Sequence, residues 1–322
     1  MSLLTNAPNK NASVAQKKAL QRSPLMKDFI RDKWLYLMLL PGVLYFLIFK
    51  YVPMYGLIIT FMDYKPFLGI MESSWVGLKH FERFFSEPQF WQLFRNTTLL
   101  AVYNIIFFFP LPIILALMLN EVRRQKFKGI IQTMIYVPHF VSWVVVVGVF
   151  YLLFTTEGGL FNELLFAITG EKIAFLLEPE WFRTMIITQS IWKEVGWGTI
   201  IFLAALSGVD LQLYEAARMD GANRWRQLWH ITLPAISSTI VILLILRLGS
   251  FLDSGFEHIF LMLTPTNREV GEVFDTYVYM KGLTQSQYSY SAAVGLFKSV
   301  VGLVLVLGSN WLAKKFGQEG IY

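Results

Sequence analysis

The chain has 322 residues, of which 55% are hydrophobic and only 16% are charged, and its formal net charge is +6. A soluble domain has about a quarter charged residues, so this composition excludes an ordinary soluble enzyme and a disordered chain. The sequence contains no cysteine, which excludes disulfide frameworks, Cys-ligated zinc and thiol nucleophiles. The composition therefore indicates a protein embedded in a membrane.

The N-terminal segment is polar and basic. Residues 1–33 contain seven lysines and arginines and lead directly into an apolar run, which is unlike a cleavable signal peptide. We expect this segment to be a basic cytoplasmic tail that is disordered over residues 1–24.

Six apolar runs follow, and each is long enough for a helix that crosses about 30 Å of hydrocarbon. The runs cover residues 34–57, 96–120, 130–154, 184–206, 233–252 and 291–313. They are continuous and far longer than the alternating strands of a membrane barrel, which have about ten residues. The expected fold is an all-α membrane protein, with six transmembrane helices in a domain that covers residues 34–313.

Lysine and arginine are distributed unevenly among the segments that join these runs. With the N-terminus inside, the inner segments hold sixteen of them and the outer segments hold eight, and the outer segments have a net charge of −5. Cytoplasmic loops are enriched in lysine and arginine, so both termini are predicted to be cytoplasmic. This includes a C-terminal tail over residues 314–322. The acidic outer loops would offer a docking face to an external protein.

The segment between the fourth and fifth runs, residues 207–232, has the pattern of a helix, a break and a second helix. Asp210 is suited to cap a helix over residues 211–219, and Gly221 is suited to end it. The second helix would align four side chains on one face: Trp225, Leu228, Trp229 and Thr232. Pro234 would then begin the fifth membrane helix. These residues describe equally well a knob that fits a partner's groove and a hairpin that packs on its own bundle.

The spacing in this segment resembles the signature loop of permease subunits of ATP-binding-cassette importers. Seven positions match that pattern: Glu215, Ala216, Ala217, Gly221, Ile231, Leu233 and Pro234. In that family the loop forms a coupling helix that docks into a cleft of the ATPase subunit. The resemblance implies a coupling role for five residues: Glu215, Ala216, Ala217, Asp220 and Gly221.

Other motifs are similar to those of carbohydrate permeases, in particular of the branch for polysaccharides and complex oligosaccharides. They are Tyr51-Val52-Pro53-Met54-Tyr55-Gly56, Trp75-Val76-Gly77-Leu78 and His80-Phe81. The resemblance implies a type I importer permease in a bacterial cytoplasmic membrane that moves a sugar inward by alternating access. It also implies an extracytoplasmic solute-binding protein, two ATPase subunits and a second permease subunit as partners. The basic N-terminal extension and the first-span motifs resemble the first subunit of a hetero-pair, which implies a different chain as the second permease; a second copy of this chain is the alternative.

The sequence contains no phosphate-binding loop of the form GxxxxGK[ST]. We therefore expect no cofactor and no enzymatic activity on this chain, with ATP and Mg bound by the separate ATPase. The four histidines form no zinc motif, and no nucleic-acid partner is expected.

Polar side chains within the apolar runs are candidates for the transport path, because ionisable groups at membrane depth face protein or a water-filled cavity. We predict that part of the path is lined by Gln189, Trp192, Lys193, Arg247 and Lys298. Aromatic and polar groups suit sugars, and the three cations would suit an acidic sugar. The alternative is that Glu194 and Asp253 neutralise these cations in structural pairs.

Two other classes of function compete with an importer subunit. A secondary transporter or channel for a polar solute is expected to show paired repeats with broken helices, or a filter loop. A membrane-embedded enzyme is expected to show a catalytic cluster or a nucleophile elbow. The sequence has none of these patterns, and the importer subunit remains the preferred interpretation.

Overall fold

The structure, a computed structural model, describes residues 31–317 and 320–321. The predicted basic tail lies outside the described residues except for its last three positions, and the predicted C-terminal tail is described in part. The chain divides into two units, residues 1–58 and residues 59–322, and each is described by itself.

The described part of the first unit is helical. It begins with α1 (Lys33–Phe46), continues through a π-helical turn (Leu47–Tyr51) and α2 (Val52–Met54), and ends within a 3₁₀ stretch, Tyr55–Phe61, whose last three residues belong to the second unit. Together these segments form one run of 29 residues, Lys33–Phe61, that is long and apolar enough to cross a membrane.

The second unit contains one short ribbon and sixteen α-helices among its described residues. In the ribbon, β1 (Met62–Asp63) pairs antiparallel with β2 (Ser74–Trp75). The helices are α3 (Gly69–Glu72), α4 (Lys79–Ser86), α5 (Gln89–Tyr103), α6 (Pro110–Glu121), α7 (Gln125–Tyr136), α8 (Trp143–Phe154), α9 (Leu160–Thr169), α10 (Pro179–Ser207), α11 (Leu211–Met219), α12 (Arg224–Gln227), α13 (Leu233–Ala235), α14 (Ser237–Gly249), α15 (Phe256–Met262), α16 (Arg268–Gly271), α17 (Phe274–Tyr279) and α18 (Tyr288–Lys315).

Two further long helical runs could cross a membrane by length and composition, Gln89–Glu121 and Tyr288–Lys315. Three other apolar runs pass the same test only as bent pairs of helices: Gln125–Phe140 with Trp143–Phe154, Pro179–Ser207 with Leu211–Met219, and Arg224–Ala235 with Ser237–Gly249. These segments coincide in order with the six predicted runs. The expectation of a mainly helical membrane protein is therefore confirmed.

The third run, predicted as a span over residues 130–154 in which Pro138 would kink or end the helix, is bent by 103°. Pro138 lies in a 3₁₀ turn, Val137–Phe140, because proline has no N–H with which to continue an α-helix. Ser142 then caps α8, and its Oγ accepts a hydrogen bond from the Val145 amide at 3.4 Å. Proline and serine together produce the bend.

The fifth run also differs from its prediction, because Pro234 does not begin it. Pro234 lies inside α13, and the chain bends by 56° before α14 starts at Ser237. The preceding turn, Leu228–Thr232, is π-helical, and this wider turn accommodates a proline ring that would clash with a carbonyl in a regular α-helix.

The long helix α10 lies at the centre of the second unit and contacts α6, α7, α8 and α14. A Cβ added at Gly196 would lie 1.9 Å from the carbonyl oxygen of Ile135, so the backbones of α10 and α7 touch there. A Cβ at Gly302 would lie 2.5 Å from the carbonyl oxygen of Gly249, where α18 meets α14. Small residues at such contacts are typical of helix packing in membranes.

Glu87 lies in the short segment between α4 and α5, outside the candidate membrane-crossing runs. Its carboxylate connects α4 to α17 and α18. Its Oε2 accepts hydrogen bonds from the hydroxyls of Tyr277 and Tyr290, both at 2.7 Å, and its Oε1 accepts one from Arg83 Nε at 2.8 Å. Burial by itself raises the pKa of Glu87, but the bonds from Tyr290, Tyr277 and Arg83 outweigh it and hold the pKa below its usual range. The carboxylate is therefore the form that holds these segments together.

We expect Gly196→Ala to lower the free energy of unfolding by about 1–3 kcal/mol, because the added methyl group meets backbone that cannot move aside. Gly148→Ala is the matched control, since that helical position in α8 has no atom within 4 Å of an added Cβ. The control variant is expected to be unchanged or slightly more stable. Thermal unfolding in detergent measures both, and equal stabilities would contradict the close contact between α10 and α7.

Candidate functional site

The segment between α10 and α14 forms the predicted helix, break and second helix. Asp210 caps α11, with its Oδ1 accepting a hydrogen bond from the Gln212 amide at 2.9 Å. Gly221 follows the helix with φ of +77°, a conformation that favours glycine. Asn223 then caps α12 through the Arg226 amide, also at 2.9 Å. The predicted cap at Asp210 and break at Gly221 are confirmed, and the cap at Asn223 is an additional finding.

Hydrogen bonds from side chains hold the parts of this segment together. The Tyr214 hydroxyl lies 2.9 Å from Thr232 Oγ1, and Gln227 Nε2 donates to the Ala222 carbonyl at 2.8 Å. Arg224 forms an ion pair at 2.8 Å with Glu121, the last residue of α6. The segment is therefore a defined helix-turn-helix that is connected to the end of the second apolar run.

Many side chains of this helix-turn-helix are exposed. Of the five predicted coupling residues, Ala217 is half-buried and the other four are exposed: Glu215, Ala216, Asp220 and Gly221. Large apolar side chains are exposed beside them: Leu211, Met219, Trp225 and Trp229. We call these nine residues the coupling surface; whether they bind an ATPase stays a prediction.

The apolar face predicted for the second helix is not formed. Trp225 and Trp229 are exposed, whereas Thr232 is buried. A regular helix would align these positions, but the π-helical turn Leu228–Thr232 widens the spacing. The two tryptophans are therefore available to a partner rather than to this chain's own core.

A cavity of about 490 Å³ lies among α5, α8, α10, α14 and α15. Its polar lining includes Asn104, Ser190, Glu194, Arg247, Asp253 and His258, and its aromatic lining includes Phe108, Trp143, Trp197 and Phe251. This volume and this mixture of aromatic walls with a few polar groups are typical of small-molecule sites.

The structure places the five predicted path residues in different environments, and Arg247 is the one that lines this cavity. Gln189 is fully buried, and its Oε1 lies 2.6 Å from His258 Nε2. Trp192 is exposed on another side of α10. Lys193 is buried against the bend of the third run, and Lys298 lines a second cavity. Their role in transport stays a prediction.

The bend between α7 and α8 is held by charged and aromatic groups of α10. Lys193 Nζ donates a hydrogen bond to the His139 carbonyl and lies 3.2 Å from Glu194 Oε1. Glu194 Oε2 is 2.6 Å from His139 Nδ1, and the His139 ring stacks on Trp197 with centroids 4.3 Å apart. Although Lys193 and Glu194 are sequence neighbours on different helix faces, their long side chains meet. Glu194 thus neutralises Lys193, as the structural alternative expects.

The second cavity, of about 430 Å³, contains Lys298 between two carboxylates. Lys298 Nζ lies 2.7 Å from Asp253 Oδ1 and also pairs with Asp275. Asp275 in turn accepts a hydrogen bond from the Ser254 amide at 3.0 Å. The pair with Asp253 also fits the structural alternative, while Asp275, in a loop helix, was not among the expected partners.

Sequence reasoning did not identify three residues of the larger cavity, Asn104, Trp143 and His258. Asn104 is a polar residue among apolar neighbours within its run, and this signal was available. Trp143 and His258 belong to different helices and stack with ring centroids 3.8 Å apart, which no local pattern reveals. Among residues 31–317 and 320–321, no cluster of three or more histidine or acidic side chains could hold a metal ion.

Residues 108–318 match the family described as binding-protein-dependent transport system inner membrane component. The chain is 60% identical over 316 residues to the polygalacturonan/rhamnogalacturonan transport system permease protein YteP of Bacillus subtilis (strain 168), with 98% of each chain covered. It is 61% identical over 292 residues to Protein LplB of the same organism, covering 91% of this chain and 92% of that one. A chain of the crystal structure of a bacterial alginate ABC transporter, in complex with an alginate pentasaccharide-bound periplasmic protein, is similar with a TM-score of 0.84. The two chains are 41% identical in sequence, and the match covers 92% of this chain and 99% of the alginate transporter chain.

The chain therefore belongs to the family of binding-protein-dependent transport system inner membrane components. It is a multi-pass permease subunit of an ATP-binding-cassette transporter, a transport component rather than a catalytic one, and it works with a binding protein. The resemblance inferred from residues 215–234 is confirmed.

We expect Lys298→Met to lower the free energy of unfolding by about 3 kcal/mol, because it leaves two close carboxylates without their cation. The double variant Lys298→Met/Asp275→Asn is expected to recover part of this loss, since one of the unpaired charges is then removed. Thermal unfolding of the two variants and of Asp275→Asn provides the measurement. A Lys298→Met protein with normal stability and no uptake would instead assign Lys298 to the transport path.

Proposed function

We propose that this chain is a type I importer permease with six membrane-crossing segments and both termini in the cytoplasm of a bacterial cell. Three continuous runs and three bent pairs supply six candidates for these segments. The excess of lysine and arginine in alternate connecting segments supports the orientation. The similarity to a chain of the alginate transporter over 92% of this chain supports the fold.

We propose further that the cargo is an oligosaccharide or polysaccharide that carries carboxylates. One relative is named for polygalacturonan and rhamnogalacturonan transport, and the similar solved structure is of an alginate transporter. The larger cavity supports this choice, because Arg247 provides a cation and the tryptophan and phenylalanine rings provide flat apolar walls. Sugars bind such walls through their C–H faces and bind fixed polar groups through their hydroxyls.

The coupling surface is the observation that carries the proposed mechanism. It combines exposed apolar side chains with the acidic Glu215 and Asp220 on one helix-turn-helix. Exposed apolar patches of this kind mark sites of protein association. We propose that it docks into one of two ATPase subunits, which bind ATP and Mg, and that a second permease chain completes the transporter.

Transport then follows from the preferences of the binding protein and ATP for one conformation. If both bind more tightly when the path opens outward, together they shift the population toward that state. Release of phosphate and ADP returns the path to the inward-facing state. A secondary transporter or channel remains the alternative, and it would move the same solute without ATP hydrolysis.

We expect Gly221→Asp and Glu215→Lys to abolish co-purification with the ATPase and to lower ATP-driven uptake at least about tenfold. Gly170→Asp is the matched control, because Gly170 also has a positive φ, +76°, and open space at its Cβ. Gly170 ends α9 in a predicted outer loop, so its variant should keep ATPase binding and uptake. Retained binding and uptake in both coupling-surface variants would contradict the docking role, and uptake without ATP would favour the alternative.

The orientation can be tested with single cysteines, because the natural sequence has none. We expect Glu171→Cys to react with a membrane-impermeant maleimide in intact protoplasts, since residues 155–183 are predicted to lie outside. Lys126→Cys, in a predicted inner segment, should react only after permeabilisation. The reverse pattern would contradict the proposed orientation.

A further inference from the structure

Two polar residues from different membrane runs meet in the wall of the larger cavity, Asn104 and Arg247. Asn104 begins a π-helical turn, Asn104–Phe108, between α5 and α6. Such turns inside α-helices frequently occur at functional sites. Arg247 lies in the last turn of α14. The amide and the guanidinium are therefore presented to one space by two separate helices.

The Asn104 carbonyl oxygen holds the guanidinium in place. Arg247 Nε donates to Asn104 Oδ1 at 3.0 Å, and Arg247 Nη2 donates to the same oxygen. A guanidinium has five N–H donors, so three remain for another group. The Arg247 side chain is partly exposed, and its Cζ lies 5.7 Å from the centre of the Phe108 ring. The cation is thus positioned but not enclosed.

Each carboxylate that lines the same cavity already forms an ion pair with a lysine. Glu194 binds His139 at 2.6 Å and Lys193 at 3.2 Å, and Asp253 binds Lys298 at 2.7 Å. Within the described part of the chain, no carboxylate forms an ion pair with Arg247. Arg247 interacts electrostatically with Glu194 but, unlike Lys193 and Lys298, it has no carboxylate in direct contact, so its remaining donors stay available to a ligand.

The geometry points to Asn104 as a positioning residue that holds Arg247 through a neutral amide, so that its positive charge selects carboxylated sugars. This inference rests on the proposed function and assigns its charge selectivity to one pair of residues. A guanidinium binds a carboxylate through two parallel hydrogen bonds, which are stronger than those between neutral groups. An aspartate at position 104 would have nearly the same shape, but it would neutralise the cation before the sugar arrived.

The test uses the complete transporter in proteoliposomes, with its binding protein, ATPase subunits and second permease. The probes are an oligogalacturonide and the same oligosaccharide with its carboxyl groups reduced to alcohols. The measured quantity is the ratio of ATP-driven uptake of the acidic probe to that of the neutral probe. Because the binding protein is identical in every sample, its own preference cancels when a variant is compared with the unaltered chain.

We expect Asn104→Asp to lower this ratio about tenfold, mainly through loss of acidic uptake. Arg247→Gln should lower it similarly, and Arg247→Lys should retain a preference for the acidic probe. Gly170→Asp is the control for a general effect of an added negative charge, because Gly170 lies outside the cavity lining and has open space at its Cβ. This control should change the ratio much less than Asn104→Asp does.

Several results would overturn the inference. These are an unchanged ratio in Asn104→Asp, an equal fall in the Gly170→Asp control, or an equal loss of both probes in Arg247→Gln. Loss of the second permease from the complex in Arg247→Gln would instead show that Arg247 pairs with that chain. If Asn104→Asp does not fold, Arg247→Gln and Arg247→Lys decide the question. Absence of ATP-driven uptake of either probe by the unaltered transporter would contradict the proposed function itself.

Discussion

An ionised side chain at membrane depth must be paired or hydrated, and this constraint organises the centre of the second unit. The same depth also requires that every backbone carbonyl find a donor or water. The bend in the third apolar run creates both needs at once, because it interrupts the helical hydrogen bonds near His139. Lys193 meets both needs. Its ammonium group donates a hydrogen bond to the His139 carbonyl, and Glu194 neutralises the charge of Lys193. The sharp bend therefore depends on a charged pair carried by α10.

A single stretch of α10 performs several of these tasks within two helical turns. Gln189 holds His258 at the cavity, Glu194 holds His139, and Gly196 brings the backbone of α7 into contact. The glycine is necessary to this arrangement, because a side chain there would push α7 away and lengthen the bonds at the bend. Close packing and charge pairing are therefore coupled: loss of the short approach at Gly196 would also leave Lys193 without its carbonyl partner.

The sequence predicted the apolar runs, the cap at Asp210 and the break at Gly221, because each depends on local chemistry. It failed where distant residues decide the geometry. The bend at Pro138 is held by polar partners from α10, and Pro234 continues a helix that a π-helical turn precedes. The ionisable residues and two of their carboxylate partners, Glu194 and Asp253, could be named from the sequence, but the other partners could not. Lys298 pairs with Asp275 from a loop helix, and Arg247 meets a neutral amide from another run.

The coupling surface is connected to both members of the Asn104–Arg247 pair. The chain continues from this surface through Ile236, which is fully buried, into α14. The thirteen residues of α14 span about 20 Å, and its last turn carries Arg247. The coupling surface also reaches the run that carries Asn104, through the Arg224–Glu121 ion pair at the end of α6. That ion pair is exposed and is worth less than about 1 kcal/mol, whereas the path through α14 is covalent. If the coupling surface moves with an ATPase as proposed, α14 transmits the motion to Arg247, while the weak Arg224–Glu121 ion pair breaks. The cation would then shift relative to the amide that positions it, and its hold on a carboxylated sugar would change with the state of the transporter.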